Sequence, residues 1–202
     1  MLHTDTIFPG TLELLSRVME IPEFDSYLLA GGTALALQIG HRISVDLDFF
    51  GEKEIEADEF VDQLSALGTV RIMSRSRNIL ILDINGIKVD FVNYRYPLVK
   101  APVMEGIIRL SSPEDIGAMK LAAITGRGRK RDFIDLHFLL NRFSLAAIME
   151  FYRTKYPSGS EFLVMRSLTY FVDADQDEDP RMLVPVDWEA VKASIIREVR
   201  KL

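Results

Sequence analysis

The chain has no cysteine among its 202 residues. Disulfides, thiolate metal sites and a cysteine nucleophile are therefore excluded. No apolar run approaches the ~18 residues that a membrane-spanning helix needs. The first residues, MLHTDTIFPG, lack the basic start and apolar stretch of a secretory signal. These absences predict a cytoplasmic chain without a membrane partner. There is no excess of positive charge either, since the formal net charge is −6. A protein that wraps nucleic acid broadly is usually basic, so any RNA contact must use a local patch. Internal repeats and low-complexity tracts are also missing.

What is present is enough for a packed core. Hydrophobic residues make up 48% of the chain and charged residues 27%, a globular composition. Residues 5–20 predict an amphipathic helix, with Ile7, Leu12, Leu15 and Val18 or Met19 near one face and Pro22 ending it. Residues 56–66 predict another. Thr69–Ser74, Asn78–Ile84 and Ile87–Asn93 predict strands. Between the last two, Asn85-Gly86 is a strong two-residue hairpin signal. That turn would place Ile84 opposite Ile87 and Asp83 opposite Lys88. Beyond a short strand at Ile107–Leu110, the pattern turns helical: 113–124, 132–140, 144–155, 160–168 and 188–201. Ser112 and Asp187 are the expected N-caps. The division is residues 1–111 as an α/β core and 112–202 as a helical C-terminal region packed on it.

The chemistry gathers in Leu28–Phe50, LLAGGTALALQIGHRISVDLDFF. A short strand ends at Gly31-Gly32, a buried helix runs from Thr33 to Ile39 with Gly40 as its stop, and a second strand covers Val45–Phe50. Successive strand side chains point to opposite faces. Asp46 and Asp48 therefore share one face while Val45, Leu47 and Phe49 anchor the other. Carboxylates on a rigid strand suit a hard cation, Mg²⁺ or Mn²⁺. Two such ions, about 3.5–4 Å apart, can clamp the attacking and leaving oxygens of a phosphoryl transfer. Gly31 and Gly32 let a phosphate approach the backbone at a helix start, where anions are favoured, and Thr33 adds a hydroxyl. Taken singly, an Asp-x-Asp is usually structural and a Gly-Gly is usually a turn; the spacing between them gives the pair its weight.

Other residues join this reading. Asp90 lies within a strand between Val89 and Phe91. A carboxylate there is costly unless paired or metal-bound, which makes it the third metal carboxylate. Asp83 is expected to form a cross-strand ion pair with Lys88 instead. Arg42 either complements the helix C-terminus with His41 or contacts nucleotide phosphate. Arg71, Arg75 and Arg77 either protect a sheet edge or form an RNA-phosphate patch. Asp173–Asp179, DADQDED, lacks the glycine and glutamate of a calcium loop and is expected to be solvated.

Ala30-Gly31-Gly32 followed by Asp46-Leu47-Asp48-Phe49 resembles the nucleotidyltransferase signature. The wider wording, GGTALAL…HR-S-DLDFF, resembles the AbiEii/AbiGii nucleotidyltransferase toxin family. Lys120…Arg127…Arg131-Asp132-Phe133-Ile134-Asp135-Leu136 is similar to that family's C-terminal motif. The resemblance implies a nucleotidyltransferase-type mixed β-sheet flanked by helices. It implies that Lys120 meets the phosphates of an NTP. It also implies that Asp132 and Asp135 orient basic side chains or water, with Arg127 and Arg131 beside them. The activity implied is Mg²⁺-dependent transfer of NMP from an NTP to RNA or tRNA, by the toxin of a toxin–antitoxin or phage-defence pair with a cognate antitoxin. The alternatives are nucleotidylation of a protein hydroxyl and a silent NTP-binding regulatory module.

Overall fold

The structure is a computed structural model describing residues 1–202. The chain divides into two compact units. One comprises Met1–Arg95 and Pro102–Ser111; the other comprises Tyr96–Ala101 and Ser112–Leu202. The short segment 96–101 thus goes with the helices, although it lies inside the 1–111 core read from the sequence.

The first unit holds α1 (Pro9–Met19), β1 (Leu28–Leu29), α2 (Gly31–Ile39), β2 (Leu47–Gly51), α3 (Ala57–Ser65), β3 (Val70–Arg75), β4 (Ile79–Ile84), β5 (Ile87–Asn93), β6 (Val103–Glu105) and β7 (Ile108–Leu110). The strands form one mixed sheet in the order β3-β4-β5-β2-β1-β7-β6. β2 runs parallel to β5, and β1 parallel to β7; the other neighbours are antiparallel. The expected helix over 5–20 is shorter, because Pro9 has no N–H to give an earlier turn and takes the first helical position. Its inner face is Leu14, Leu15, Val18 and Met19. β6 was not expected; its three residues carry too little pattern to be read.

One face of this sheet is the core. Leu47, Phe49, Leu80, Leu82, Ile84, Val89 and Phe91 are all fully buried, with Phe24, Tyr27 and Phe60 against them. Each such side chain stabilises the fold by about 1.5–3 kcal/mol. The alternate residues, Asp48 on β2, Lys88 and Asp90 on β5 and Ile81 and Asp83 on β4, lie on the opposite, partly exposed face.

The second unit comprises α4 (Pro113–Gly126), α5 (Lys130–Leu139), α6 (Leu145–Lys155), α7 (Glu161–Ser167), α8 (Val172–Asp175) and α9 (Trp188–Val199). Ser112 accepts from Asp115 N and Asp187 from Ala190 N, so both expected caps form. A buried ion pair holds segment 96–101 to these helices. Lys155 Nζ lies 2.7 Å from Asp115 Oδ1 and donates to Pro97 O, while the same carboxylate accepts from Val99 N and Lys100 N. Burial would raise the Asp115 pKa, but Lys155 and these amides outweigh it and hold it below the ordinary 3.8. No helix is long and apolar enough to cross a membrane.

The hairpin turn offers a direct check. Asn85 has φ 53° and Gly86 φ 84°, the left-handed pair of a type I′ turn, and Ile84 faces Ile87. A Cβ at Gly86 meets nothing within 4 Å. Gly86→Ala should therefore cost backbone strain alone, about 1–2 kcal/mol. Urea unfolding should show a lower midpoint at an unchanged m-value, and an unchanged midpoint would contradict this turn geometry.

Candidate active site

The site is built where α2 leaves β1. Ala30 N donates to Asp48 O at 2.8 Å, which brings β2 against the start of the helix. Gly31 has φ +66°, and a Cβ there would lie 2.6 Å from Asp48 Oδ2. Only glycine allows both this conformation and so close an approach of the carboxylate. Gly32 has a similar reason: a Cβ would fall 2.1 Å from Arg42 Nη2. Arg42 is 4% exposed and donates to Ile43 O, so it brings a fixed positive charge to the glycine turn.

Thr33 is engaged within the chain. It is 1% exposed, its hydroxyl bonds to the carbonyl of Asp46, and it lies 2.8 Å from Ser44 Oγ. It braces the loop that delivers Asp46. Asp46 itself precedes β2, which begins at Leu47.

Asp48 and Asp90 are register partners on parallel β2 and β5. Neighbouring strands stand about 4.8 Å apart, so the two carboxylates rise side by side. Asp90 Oδ1 is buried and has no hydrogen-bond partner. Leaving a buried polar atom unsatisfied costs about 1–3 kcal/mol, more for a charged group. Its other oxygen is held by Lys88 Nζ. This corrects the expected Lys88–Asp83 pair. Lys88 and Asp90 are two residues apart on one strand and share a face, whereas Asp83 meets Arg71 at 3.4 Å and accepts from Gly86 N.

The donor set is of the kind that suits a hard divalent cation: carboxylates, one with an unsatisfied buried oxygen. Asp46, Asp48 and Asp90 do not form a closed ligand cluster, however. No three His, Asp or Glu side chains come close enough to hold an ion. Asp46 stands outside the strand, and Lys88 supplies the positive charge beside Asp90. Lys88 is the residue that sequence reasoning misplaced; its i, i+2 spacing from Asp90 was the available signal.

The C-terminal motif forms a separate cluster inside the helical unit. Lys120 is 5% exposed, with Nζ at 2.8 Å from Asp132 Oδ1 and 2.6 Å from Asp135 Oδ2. Arg127 Nε reaches the other oxygen of Asp132 at 3.1 Å. Both aspartates are completely buried. Burial would raise the Asp132 pKa, but Lys120 and Arg127 prevail and hold it below the ordinary 3.8. The Lys120 ammonium is therefore engaged by two carboxylates within the helical unit. Arg131 is exposed on α5.

The acidic stretch 173–179 is largely exposed, as expected, but begins in α8 and is also paired with cations. Asp177 binds Arg129 Nη1 at 2.6 Å and Lys130 N at 2.9 Å; its carbonyl and Asp179 take Lys130 Nζ. Asp175 accepts from Trp188 Nε1 and Lys192. The basic loop and the acidic segment, far apart in sequence, neutralise each other.

Comparison with known proteins bears on this geometry. The family model described as "Nucleotidyl transferase AbiEii toxin, Type IV TA system" matches residues 13–201. The chain belongs to the AbiEii nucleotidyltransferase toxin family. An uncharacterised protein, aq_aa25, of Aquifex aeolicus (strain VF5) is 35% identical over 197 residues, 94% of either chain. Two solved Helicobacter pylori structures share the fold. One, described as a candidate nucleotidyltransferase, gives a TM-score of 0.61 at 19% identity, covering 95% of this chain and 91% of that one. The other, JHP933, gives 0.58 at 18%, covering 95% and 88%. The chain is thus an AbiEii-family nucleotidyltransferase with a mixed α/β fold.

The buried cluster predicts a pH-dependent stability. Removing Lys120 leaves two buried carboxylates without their cation. Lys120→Met should destabilise the protein by about 3–5 kcal/mol at pH 7. The folded pKa of Asp132 lies below its ordinary 3.8. Its contribution is complete above that value and is lost as the pH falls through the folded pKa. The gap between wild type and Lys120→Met should accordingly narrow below pH 3.8 in denaturant titrations. A neutral, pH-independent Lys120→Met would contradict the cluster.

Proposed function

We propose that this AbiEii-family chain transfers a nucleoside monophosphate from an NTP to a hydroxyl of an RNA acceptor, tRNA among the candidates, and releases pyrophosphate. The observation that carries the proposal is the pairing of Asp48, packed on Gly31, with Asp90, whose Oδ1 is buried without a partner. An oriented carboxylate pair beside a glycine turn and a buried arginine is what a polyphosphate and its counter-ion need.

Asp48 and Asp90 would hold Mg²⁺ or Mn²⁺, with Asp46 presented from the loop before β2. Such an ion, when bound, neutralises charge on the phosphates and lowers the pKa of the acceptor hydroxyl. The chain's own residues do the rest. Gly31 and Gly32 let the phosphates reach the first turn of α2, and Arg42 adds a positive charge there. Thr33 fixes the loop that carries Asp46. Asp90 Oδ1 receives the acceptor's proton. The acceptor oxygen bonds to the α-phosphorus as the bond from that phosphorus to the bridging oxygen breaks, and pyrophosphate leaves with that oxygen. Lys88, paired with Asp90 Oδ2, keeps a positive charge beside the carboxylate that would hold the ion.

As a toxin this enzyme acts in the cytoplasm, opposed by a cognate antitoxin. A second reading, nucleotidylation of a protein hydroxyl, is favoured by one observation: Arg127, Arg129 and Lys130 are neutralised within the chain, which removes the densest basic stretch as an RNA patch. Incubation with α-labelled NTPs, total RNA and cell lysate separates the readings. Label in RNA supports the proposal; label in protein alone overturns it.

Asp48→Asn and Asp90→Asn should each slow transfer by at least ~10²-fold while the fold is retained, because the apolar face of each strand is untouched. Asp83→Asn should change the rate little and cost about 1 kcal/mol of stability or less. Chelation should abolish transfer, and Mg²⁺ or Mn²⁺ should restore it. Full activity in both Asp48→Asn and Asp90→Asn would refute the mechanism.

A further inference from the structure

The open face of the first unit's sheet leads away from the carboxylates to an outer strand with an unusual charge. Register carries one row of residues across four strands: Asp48 on β2, Asp90 on β5, Ile81 on β4 and Ser74 on β3. Three strand spacings make this path about 14 Å long. It ends on β3, a free sheet edge where Arg71, in register with Asp83, stands on this same face, while Arg75, in register with the core-facing Leu80, stands at the rim on the other.

Residues 70–79, VRIMSRSRNI, contain three arginines and no carboxylate in a chain of net charge −6. Every residue from 71 to 79 is exposed. Arg71 is 75% exposed and reaches only Asp83, at 3.4 Å. Arg75 and Arg77 have no hydrogen bond or ion pair. This contrasts with the basic loop of the helical unit, where Arg127, Arg129 and Lys130 are all bound by carboxylates.

Arginines on an edge strand can serve only to keep sheets apart. An edge designed for that purpose leaves out exposed apolar side chains, whereas this one presents Ile72, Met73 and Ile79 at 42%, 61% and 42% exposure. A partner peptide could add a strand to such an edge. Here the β3–β4 register shifts between Ile72 and Ser74, and the bulge interrupts the regular ladder that an added strand requires. A polyanion has no need of that ladder. Guanidinium groups recognise phosphate with two parallel N–H bonds and stack on unpaired bases.

We propose that β3 and the β3–β4 turn form the acceptor-binding edge: Arg75 and Arg77 contact phosphates of a single-stranded RNA along the rim, and its free end passes over the edge beside Arg71 and crosses Ile81 to reach Asp90 and Asp48. The proposal rests on the nucleotidyl-transfer reading for its direction but not for its binding surface. The edge selects RNA by charge, and the basic loop 127–131 takes no part.

The test is direct binding, read without turnover. A short fluorescein-labelled single-stranded RNA with a free 3′ hydroxyl is titrated with wild type, Arg75→Gln/Arg77→Gln and Arg129→Gln across a range of salt. Each phosphate contact contributes about 0.7 to the log–log salt slope for a single strand. The double variant should bind about tenfold more weakly at low salt, with the slope reduced by about 1.4. Arg129→Gln should match wild type. An unchanged slope in the double variant, or an equal loss in Arg129→Gln, overturns the edge assignment. So does a polyglutamate peptide that binds wild type, loses affinity in the double variant and finds no RNA competing. NTP binding with Mg²⁺ is measured separately by calorimetry on the same proteins. RNA binding without NTP binding would sink the transfer reading and leave the edge standing; NTP binding without RNA binding would do the reverse.

Discussion

Phe49 and Phe91 stack with centroids 5.1 Å apart and planes 17° from parallel, and the carboxylate face depends on that stack. The two rings are register partners on β2 and β5, one residue beyond Asp48 and Asp90. Phe24, Tyr27 and Phe60 close around Phe91 edge-on or tilted. A slip of one residue between the strands would carry Phe49 or Phe91 out of the cluster to the opposite face. The aromatic cluster therefore specifies, from the far side of the sheet, which two aspartates stand side by side. Chemistry on one face is held in place by apolar packing on the other.

The helical unit solves a different problem. It buries Asp115, Asp132, Asp135, Lys120 and Lys155, charges that are costly to take out of water singly. They are tolerated because each carboxylate meets a cation and further donors. Such clusters contribute little net stability over apolar residues of the same shape, but any single deletion is severe. Their value lies in specifying which helix faces meet: Lys120 of α4 can satisfy Asp132 and Asp135 only with α5 in one rotation.

Much of the first unit was legible. The Asn85-Gly86 turn, the alternation from Leu47 to Phe50 and the glycine pair each carry a local physical requirement, and the fold respects them, but the expected strand starts two residues late and Val45 is exposed rather than an anchor. Ser112 and Asp187 cap helices because a side-chain oxygen beside free N–H groups needs no tertiary context. What escaped is the pairing of charges across distance. Nothing local in DADQDED says that Asp177 will meet Arg129 and Lys130, or that Lys120 will be enclosed by the helix that follows it. A lysine in an apolar stretch reads the same whether it awaits a ligand or a neighbouring aspartate. The bond from Thr33 to the Asp46 carbonyl escaped for a related reason: a hydroxyl at a helix start can serve a ligand or the chain, and the sequence does not show which. The site residues on strands were therefore easier to place than those on helices.

The parallel pairing of β2 with β5 has a consequence for biogenesis. Parallel neighbours cannot be joined by a tight turn, so α3, β3 and β4 all lie between them in the chain. β1, at Leu29, waits still longer for Leu110 of β7. Contacts so distant in sequence form late, after the local hairpin of β4 and β5. On the ribosome, a chain that has emerged only as far as β4 carries Asp46 and Asp48 but lacks the strand that bears Asp90. The glycine turn and its two aspartates are then exposed without their partner. The pair Asp48–Asp90 therefore cannot form until nearly half of the chain has been released.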